Sequence, residues 1–349
     1  MHPAQFFEPL GDGSVECRLC AHFCRLEPNQ TGLCGVRHNQ NGTLFTSSYG
    51  RPVLVAVEPI EKKYLFHAFP GSQTLSLGTA GCNLGCKYCI NWRVSQQIDE
   101  DLSAPEVAPA EIVAQALACG VRSIAFTYTE PTIFIEYAAA IAHLARSAGL
   151  AVVVKSNGYM TPDVLRYMAG WLDAINLDIK AWQGDRHRDV GGGELEPILA
   201  NARLAAGLGL WLEVSTLVTP GCCETAGDLL GIAHFIAAEL GRSTPWHLLR
   251  FYPHFEMAAH PVSSEAQLER AVAAARQAGL HHVYTKELSH GKMLHTFCPA
   301  CGTAVVFRQG YRVVGTRMLD GCCATCGCRI PGIGLGAAAV YEPLTILPS

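Results

Sequence analysis

The chain has 349 residues, 49% of them apolar and 16% charged, with a formal net charge of −4. That balance excludes a disordered or fibrous chain and leaves room for one ordinary core with small appendages. No basic run offers a footprint for nucleic acid, no apolar segment is long enough to span a bilayer, and the first residues lack the charged and apolar regions of a secretory signal. A soluble cytoplasmic protein, with neither nucleic-acid nor membrane partners, is the expectation.

Residues 1–71 form a Cys-rich N-terminal segment with a short apolar run at 52–57. Residues 72–290 alternate apolar runs with amphipathic stretches. The runs read as buried strands at 74–78, 123–128, 150–155, 174–178, 212–217 and 247–251. The amphipathic patterns predict helices at 109–118, 132–147, 162–169, 195–207, 225–240 and 264–278. The last of these starts at Ser263-Ser264 and stops at Gly279, a polar cap and a glycine terminator. Six alternations of strand and helix predict an α/β fold, a parallel barrel or open sheet, with chemistry at the C-terminal ends of the strands. Residues 291–349 are dense in Cys and Gly and form a zinc-ribbon-like C-terminal module.

Cysteine is the unusual residue, at 16 of 349. Most fall in three bunches. A disulfide scaffold would be small and exported, so bunched thiols read here as metal ligands. In the first bunch Cys17, Cys20, Cys24 and Cys34 can hold zinc or an auxiliary iron–sulfur cluster, with unliganded thiols a third reading. In the last, Cys298/Cys301 and Cys323/Cys326 are paired knuckles around the apolar residues 305–307 and 311–314. Four such thiolates close a tetrahedral zinc site; an auxiliary cluster fits the same ligands, and Cys322 and Cys328 leave the register open. Outside the bunches, Cys119 reads as a buried thiol at a helix end, and Cys222-Cys223 as inert loop residues.

The middle bunch carries the chemistry. Thr79-Ala80-Gly81-Cys82-Asn83-Leu84-Gly85-Cys86-Lys87-Tyr88-Cys89 directly follows the first core strand. Three thiolates at this spacing can ligate three irons of a 4Fe–4S cubane and leave the fourth open, as S-adenosylmethionine (SAM) would need in order to chelate there through its amino and carboxylate groups. A zinc loop completed by a remote ligand would use the same residues.

With Tyr88 before the third Cys and the loop placed after the first strand, the chain resembles the radical SAM superfamily. The resemblance implies a partial (β/α)6 TIM-like barrel, a 4Fe–4S cluster on Cys82, Cys86 and Cys89, and a SAM-derived radical that abstracts hydrogen from a substrate. Where members carry Gly-Gly-Glu to receive the SAM amino group, this chain has Thr127-Tyr128-Thr129-Glu130-Pro131, keeping the acid and the proline without the glycines. Thr129 and Glu130, then Ser156 and Asn157 after the third strand, are thereby implied as SAM-binding residues, with Tyr88 beside them. Asp178 and Lys180 resemble the pair that pyruvate formate-lyase-type activases use on the SAM ribose and carboxylate, and His254 follows the sixth strand. The bland alternatives are a first-turn helix acid at Glu130, a structural ion pair at Asp178/Lys180 and a surface histidine at His254. No catalytic side chain is implied beyond the cluster.

The resemblance tightens to the radical SAM enzyme of the AmmeMemoRadiSam system. It rests on Cys17-Arg18-Leu19-Cys20 through Cys34-Gly35-Val36-Arg37, on Glu58-Pro59-Ile60-Glu61-Lys62-Lys63, on Phe69-Pro70-Gly71-Ser72 and Asn91-Trp92, and on the Cys298 knuckle. Ile90 departs from it, since relatives carry glutamine there. Memo-like and AMMECR-type proteins are the implied partners, with a low-potential flavodoxin or ferredoxin type electron donor. A glycyl-radical-enzyme activase is the alternative enzyme, although the extra thiols lie at the chain's two ends rather than after the cluster loop. A non-catalytic zinc-binding protein is the alternative of another class.

Overall fold

Apolar runs without a polar face fold here as strands buried on both sides. The computed structural model describes residues 1–98, 105–286, 288 and 292–336. Its central sheet has eight strands: β1 (Pro52–Pro59), β2 (Gln73–Thr79), β3 (Ser123–Phe126), β4 (Ala151–Ser156), β5 (Ala174–Asp178), β6 (Trp211–Val218), β7 (Trp246–Arg250) and β8 (Val283–Tyr284). They lie side by side in chain order, β2 to β8 parallel and β1 antiparallel on the edge. Six helices alternate with them: α1 (Pro109–Ala118), α2 (Ile135–Ser147), α3 (Pro162–Ala169), α4 (Glu196–Gly207), α5 (Ala226–Phe235) and α6 (Glu265–Gln277).

Local chemistry sets the boundaries. Thr225 and Ser264 cap α5 and α6, each through a capping box closed by Asp228 and Gln267. The helix expected over 225–240 remains α-helical only to Phe235 and continues as a π-helix over Ile236–Gly241. The strand expected over 123–128 stops at Phe126, because Tyr128 turns to a left-handed φ of 69°. Cys119 caps α1 but is exposed, a correction to its expected burial: it sits where the helix ends rather than on its packed face.

Alternation splits the sheet into two faces. Phe126, Val154 and Leu177 belong to the large core with the helices, whereas Ala125, Val153 and Ala174 meet Ile60, Leu65 and Ala68 on the other face. On that second face a polar stack begins with Glu213, which accepts from the N–H groups of Phe66 (2.9 Å) and His67 (2.8 Å) and lies 2.7 Å from His247 Nε2.

Two appendages grip this core. At the C-terminal end, β9 (Ala304–Gln309) and β10 (Arg312–Thr316) form an antiparallel hairpin. Its buried Arg308 donates to Phe66 O at 2.6 Å and Thr296 Oγ1 at 2.9 Å, and pairs with buried Glu61 at 3.5 Å. At the N-terminal end, Cys17 ends the short strand Val15–Cys17, Cys24 directly precedes the strand Arg25–Leu26, Cys34 lies in a turn, and Cys20 bridges to Met160 beyond β4. No helix among the described residues is long and apolar enough to cross a membrane.

Candidate active site

The C-terminal ends of the parallel strands open into a cavity of ≈ 570 Å³. Cys82, Cys86, Tyr88, Cys89, Thr129, Glu130, Ser156, Asn157, Asp178, Lys180 and His254 all line it. Residues far apart in the chain thus share one chamber because each follows a strand of the same sheet.

The thiol loop is held from several sides. Gly81 takes a φ of 91°, and a Cβ there would come within 2.5 Å of Cys34 O, so only glycine fits. Its N–H donates to Val94 O at 2.8 Å, while those of Gly85 and Lys87 donate to Gly191 O and Val190 O at 3.0 Å. Asn157 Nδ2 donates to Asn83 Oδ1 at 2.8 Å and lies 4.0 Å from Cys82 Sγ.

Opposite the loop, Asp178 is gripped by two lysines. Lys155 Nζ lies 2.7 Å from Oδ1 and Lys180 Nζ 3.3 Å from Oδ2, and Ser215 Oγ also donates to Oδ1. Burial works against the Asp178 charge, yet the two ammonium groups hold its carboxyl well below the usual carboxylate range. Burial likewise opposes the Lys180 charge, and Cys86 and Asp178 hold it well above the usual lysine range. Glu130 is tied into the protein: Oε1 accepts from Thr132 Oγ1 (2.6 Å), Ser156 Oγ (2.8 Å) and Thr132 N (3.2 Å), and Oε2 from Asn157 N (2.7 Å). It serves as the N-cap of the turn Pro131–Phe134, and burial pushes its carboxyl up.

Sequence reasoning passed over a second group in the same chamber. Glu58 accepts from Lys62 Nζ (2.9 Å), Lys63 Nζ (2.5 Å) and the Tyr128 hydroxyl (2.7 Å). Lys155 was also missed, hidden in the apolar run of β4. Tyr128 explains the departure from Gly-Gly-Glu: Thr129 N–H donates to Thr127 O at 2.9 Å across a γ-turn, so a tyrosine occupies a conformation that glycine adopts freely. Ile90 lines the same cavity and is 70% exposed.

The loop fits a cluster on its donor chemistry. Burial pushes the Cys82 and Cys86 thiols up, so they keep their protons unless a cation replaces them. The Leu84 N–H is directed at the Cys82 sulfur. The Tyr88 hydroxyl and Asn83 Nδ2 are buried without a partner, polar groups left over beside the loop.

Away from the cavity, Cys298, Cys301, Cys323 and Cys326 bring their sulfurs within 4.8 Å of one another, with Cys298–Cys326 at 3.6 Å and Cys301–Cys323 at 3.7 Å. This fits a single four-coordinate metal ion and resolves the register, leaving Cys322 and Cys328 outside the set. Burial pushes the Cys222 thiol up to about 11.

The sequence model of the Radical SAM superfamily matches residues 76–236. The chain is 36% identical over 332 residues to Uncharacterized protein MJ0808 of Methanocaldococcus jannaschii, across 95% of this chain and 99% of that one. It is 22% identical over 165 residues to the pyruvate formate-lyase-activating enzyme of Streptococcus mutans (45% of this chain, 63% of that one). Similarity to the benzylsuccinate synthase activating enzyme of Thauera aromatica is 24% over 128 residues (36% and 39%). Membership implies a 4Fe–4S cluster, SAM and a source of reducing electrons, and the thiol loop lies within the matched span. The chain belongs to the radical SAM superfamily and is an enzyme.

Proposed function

We propose that this enzyme cleaves SAM reductively in the cavity above β2 to β7, within a partial (β/α)6 barrel, and abstracts hydrogen from a substrate bound beside it. The observation that carries the reading is the Lys155–Asp178–Lys180 triad facing the Cys82 loop across one chamber. When bound, a 4Fe–4S cluster on Cys82, Cys86 and Cys89 supplies the electron that splits SAM into methionine and a 5′-deoxyadenosyl radical.

The chain's own residues then have distinct tasks. Asp178, kept ionised by its lysines, accepts from the ribose hydroxyls, and Lys180 pairs with the SAM carboxylate. Glu130 Oε2, with one protein donor against three on Oε1, is the oxygen left to receive the SAM ammonium. Thr129, Ser156 and Asn157 hold that carboxylate and the thiol loop in register, Tyr88 packs behind the cluster, and His254 closes the outer rim.

The motifs shared with the AmmeMemoRadiSam family favour a role in that system, with Memo-like and AMMECR-type partners and a flavodoxin or ferredoxin type reductant in the cytoplasm. The partial likeness to two activating enzymes favours a second reading, activation of a glycyl-radical enzyme. The ribbon thiols read as a zinc site. Anaerobic reconstitution followed by dithionite reduction with SAM tests the first claim: 5′-deoxyadenosine should form. A colourless protein that carries zinc alone and leaves SAM intact overturns it.

A further inference from the structure

The first four cysteines belong neither to the ribbon nor to the cavity. Cys17 and Cys20 are buried, Cys24 and Cys34 partly so, and none is in a disulfide. Their sulfurs are near enough for the charge on each to be felt by the others: Cys20 faces Cys17, Cys24 and Cys34, and Cys34 faces Cys17. Backbone N–H groups are aimed at these sulfurs, from Leu19 to Cys17, from His22 to Cys20, and from Val36 and Arg37 to Cys34. The donor two residues on is the arrangement that Leu84 makes with Cys82 in the cluster loop.

A further observation points to a bound group. Arg37, 1% exposed, feels both Cys17 and Cys34, and its Nε is buried without a partner although its other nitrogens bond Glu136 and Gln5 O. An unspent cationic donor beside two of the four thiols suits a sulfur-rich anion.

Spacing separates the metal classes. A single zinc at about 2.3 Å from each sulfur holds its thiolates about 3.8 Å apart, as the ribbon set is held. Among the described residues only the ribbon thiols are gathered so closely; no three of the N-terminal four lie within 4.8 Å of one another, and neither do those of the Cys82 loop. In a multi-iron cluster the irons share out the thiolates, so the ligands stand further apart. We propose that Cys17, Cys20, Cys24 and Cys34 hold a second iron–sulfur cluster, packed behind the Cys82 loop. The packing is direct: His22 Nε2 lies 2.7 Å from Asn83 O, and Cys34 O backs onto Gly81.

The test removes the first cluster and asks what iron remains. The triple variant Cys82→Ala/Cys86→Ala/Cys89→Ala, reconstituted anaerobically with iron and sulfide, should keep the visible absorption of an iron–sulfur protein. Its iron and sulfide should be present in equal amounts. Adding Cys20→Ala/Cys24→Ala should abolish both. A triple variant without iron, or with a second zinc in its place, overturns the proposal. So does iron that persists in the quintuple variant, since it would then sit on the ribbon. As a check on folding, Cys20→Ala/Cys24→Ala in the otherwise unaltered chain should lose only part of the iron; unchanged iron there also overturns the proposal. Failure of the radical SAM assignment reads differently: iron would be equal in the unaltered chain and the triple variant.

Discussion

Lys155 Nζ stands 2.7 Å from Asp178 Oδ1, joining the ends of two neighbouring parallel strands inside the cavity. The contact makes Asp178 an ionised acceptor before any ligand arrives. Asp178→Asn would leave Lys155 and Lys180 without their shared counter-charge. A loss of about 2–3 kcal/mol in denaturant stability is expected, together with SAM binding at least tenfold weaker. Unchanged SAM affinity, measured by calorimetry on the reconstituted protein, would remove Asp178 from the SAM site.

Glu58 carries a pH dependence. Burial alone would raise its carboxyl, but Lys63, Lys62 and the Tyr128 hydroxyl lower it from 4.5 to about 2. A carboxyl depressed in the folded state contributes stability that is complete above its unfolded value and is lost as pH falls through the folded one. The difference between the unaltered protein and Glu58→Gln should therefore be full above pH 4.5 and shrink towards pH 2. Its plateau should be about 1–2 kcal/mol, after allowance for solvent screening of a partly exposed group. Denaturant midpoints from pH 6 downward measure it, and a pH-independent difference would count against the pairing.

How far these features could be read from the sequence depended on which physics wrote them there. Strands β2 to β7 are buried on both faces, so their apolar runs stand out from the helices that separate them. β1 did not stand out as part of the sheet: it lies on the edge, with Val55 and Val57 each 38% exposed. Thiol spacing is a local property, and it marked the Cys82 loop and the knuckles directly. Lys155 was obscured by the valines before it, although it shares strand parity with Val153 on the face opposite Val154. Glu58 and Lys63 sat in a motif whose letters were noticed while their chemistry was not, because only the fold brings Tyr128 onto the same carboxylate. The donors to the N-terminal sulfurs are backbone groups, which no residue letter encodes.

Tyr128 holds a left-handed backbone and a hydroxyl with a charged partner, and the two can be separated. Tyr128→Phe keeps the turn and removes the bond to Glu58, a loss of about 1–2 kcal/mol. Tyr128→Gly also removes that bond but relieves about 1 kcal/mol of backbone strain. The glycine variant should therefore be no less stable than expected from the lost ring and hydroxyl together, with the turn intact. If thermal unfolding shows Tyr128→Phe to be neutral, the hydroxyl does not anchor Glu58.

The two ends of the chain should respond differently to loss of a thiol. Cys86→Ala should abolish SAM cleavage and remove iron from the loop, because no other thiol lines that part of the cavity besides Cys82 and Cys89 among the described residues. Cys298→Ala should instead release the ribbon metal, lower the thermal midpoint and leave the cavity iron in place, since metal binding there is folding energy for a small hairpin. The hairpin's grip on the core runs through Arg308, which is fully buried against Glu61 and Phe66 O. Arg308→Met should accordingly cost about 3 kcal/mol, by stranding Glu61 in the interior, without releasing the metal. Metal analysis beside calorimetry distinguishes the two ribbon variants. Should Cys298→Ala abolish SAM cleavage while the Cys82-loop cluster stays intact, the ribbon takes part in the chemistry and its structural assignment fails.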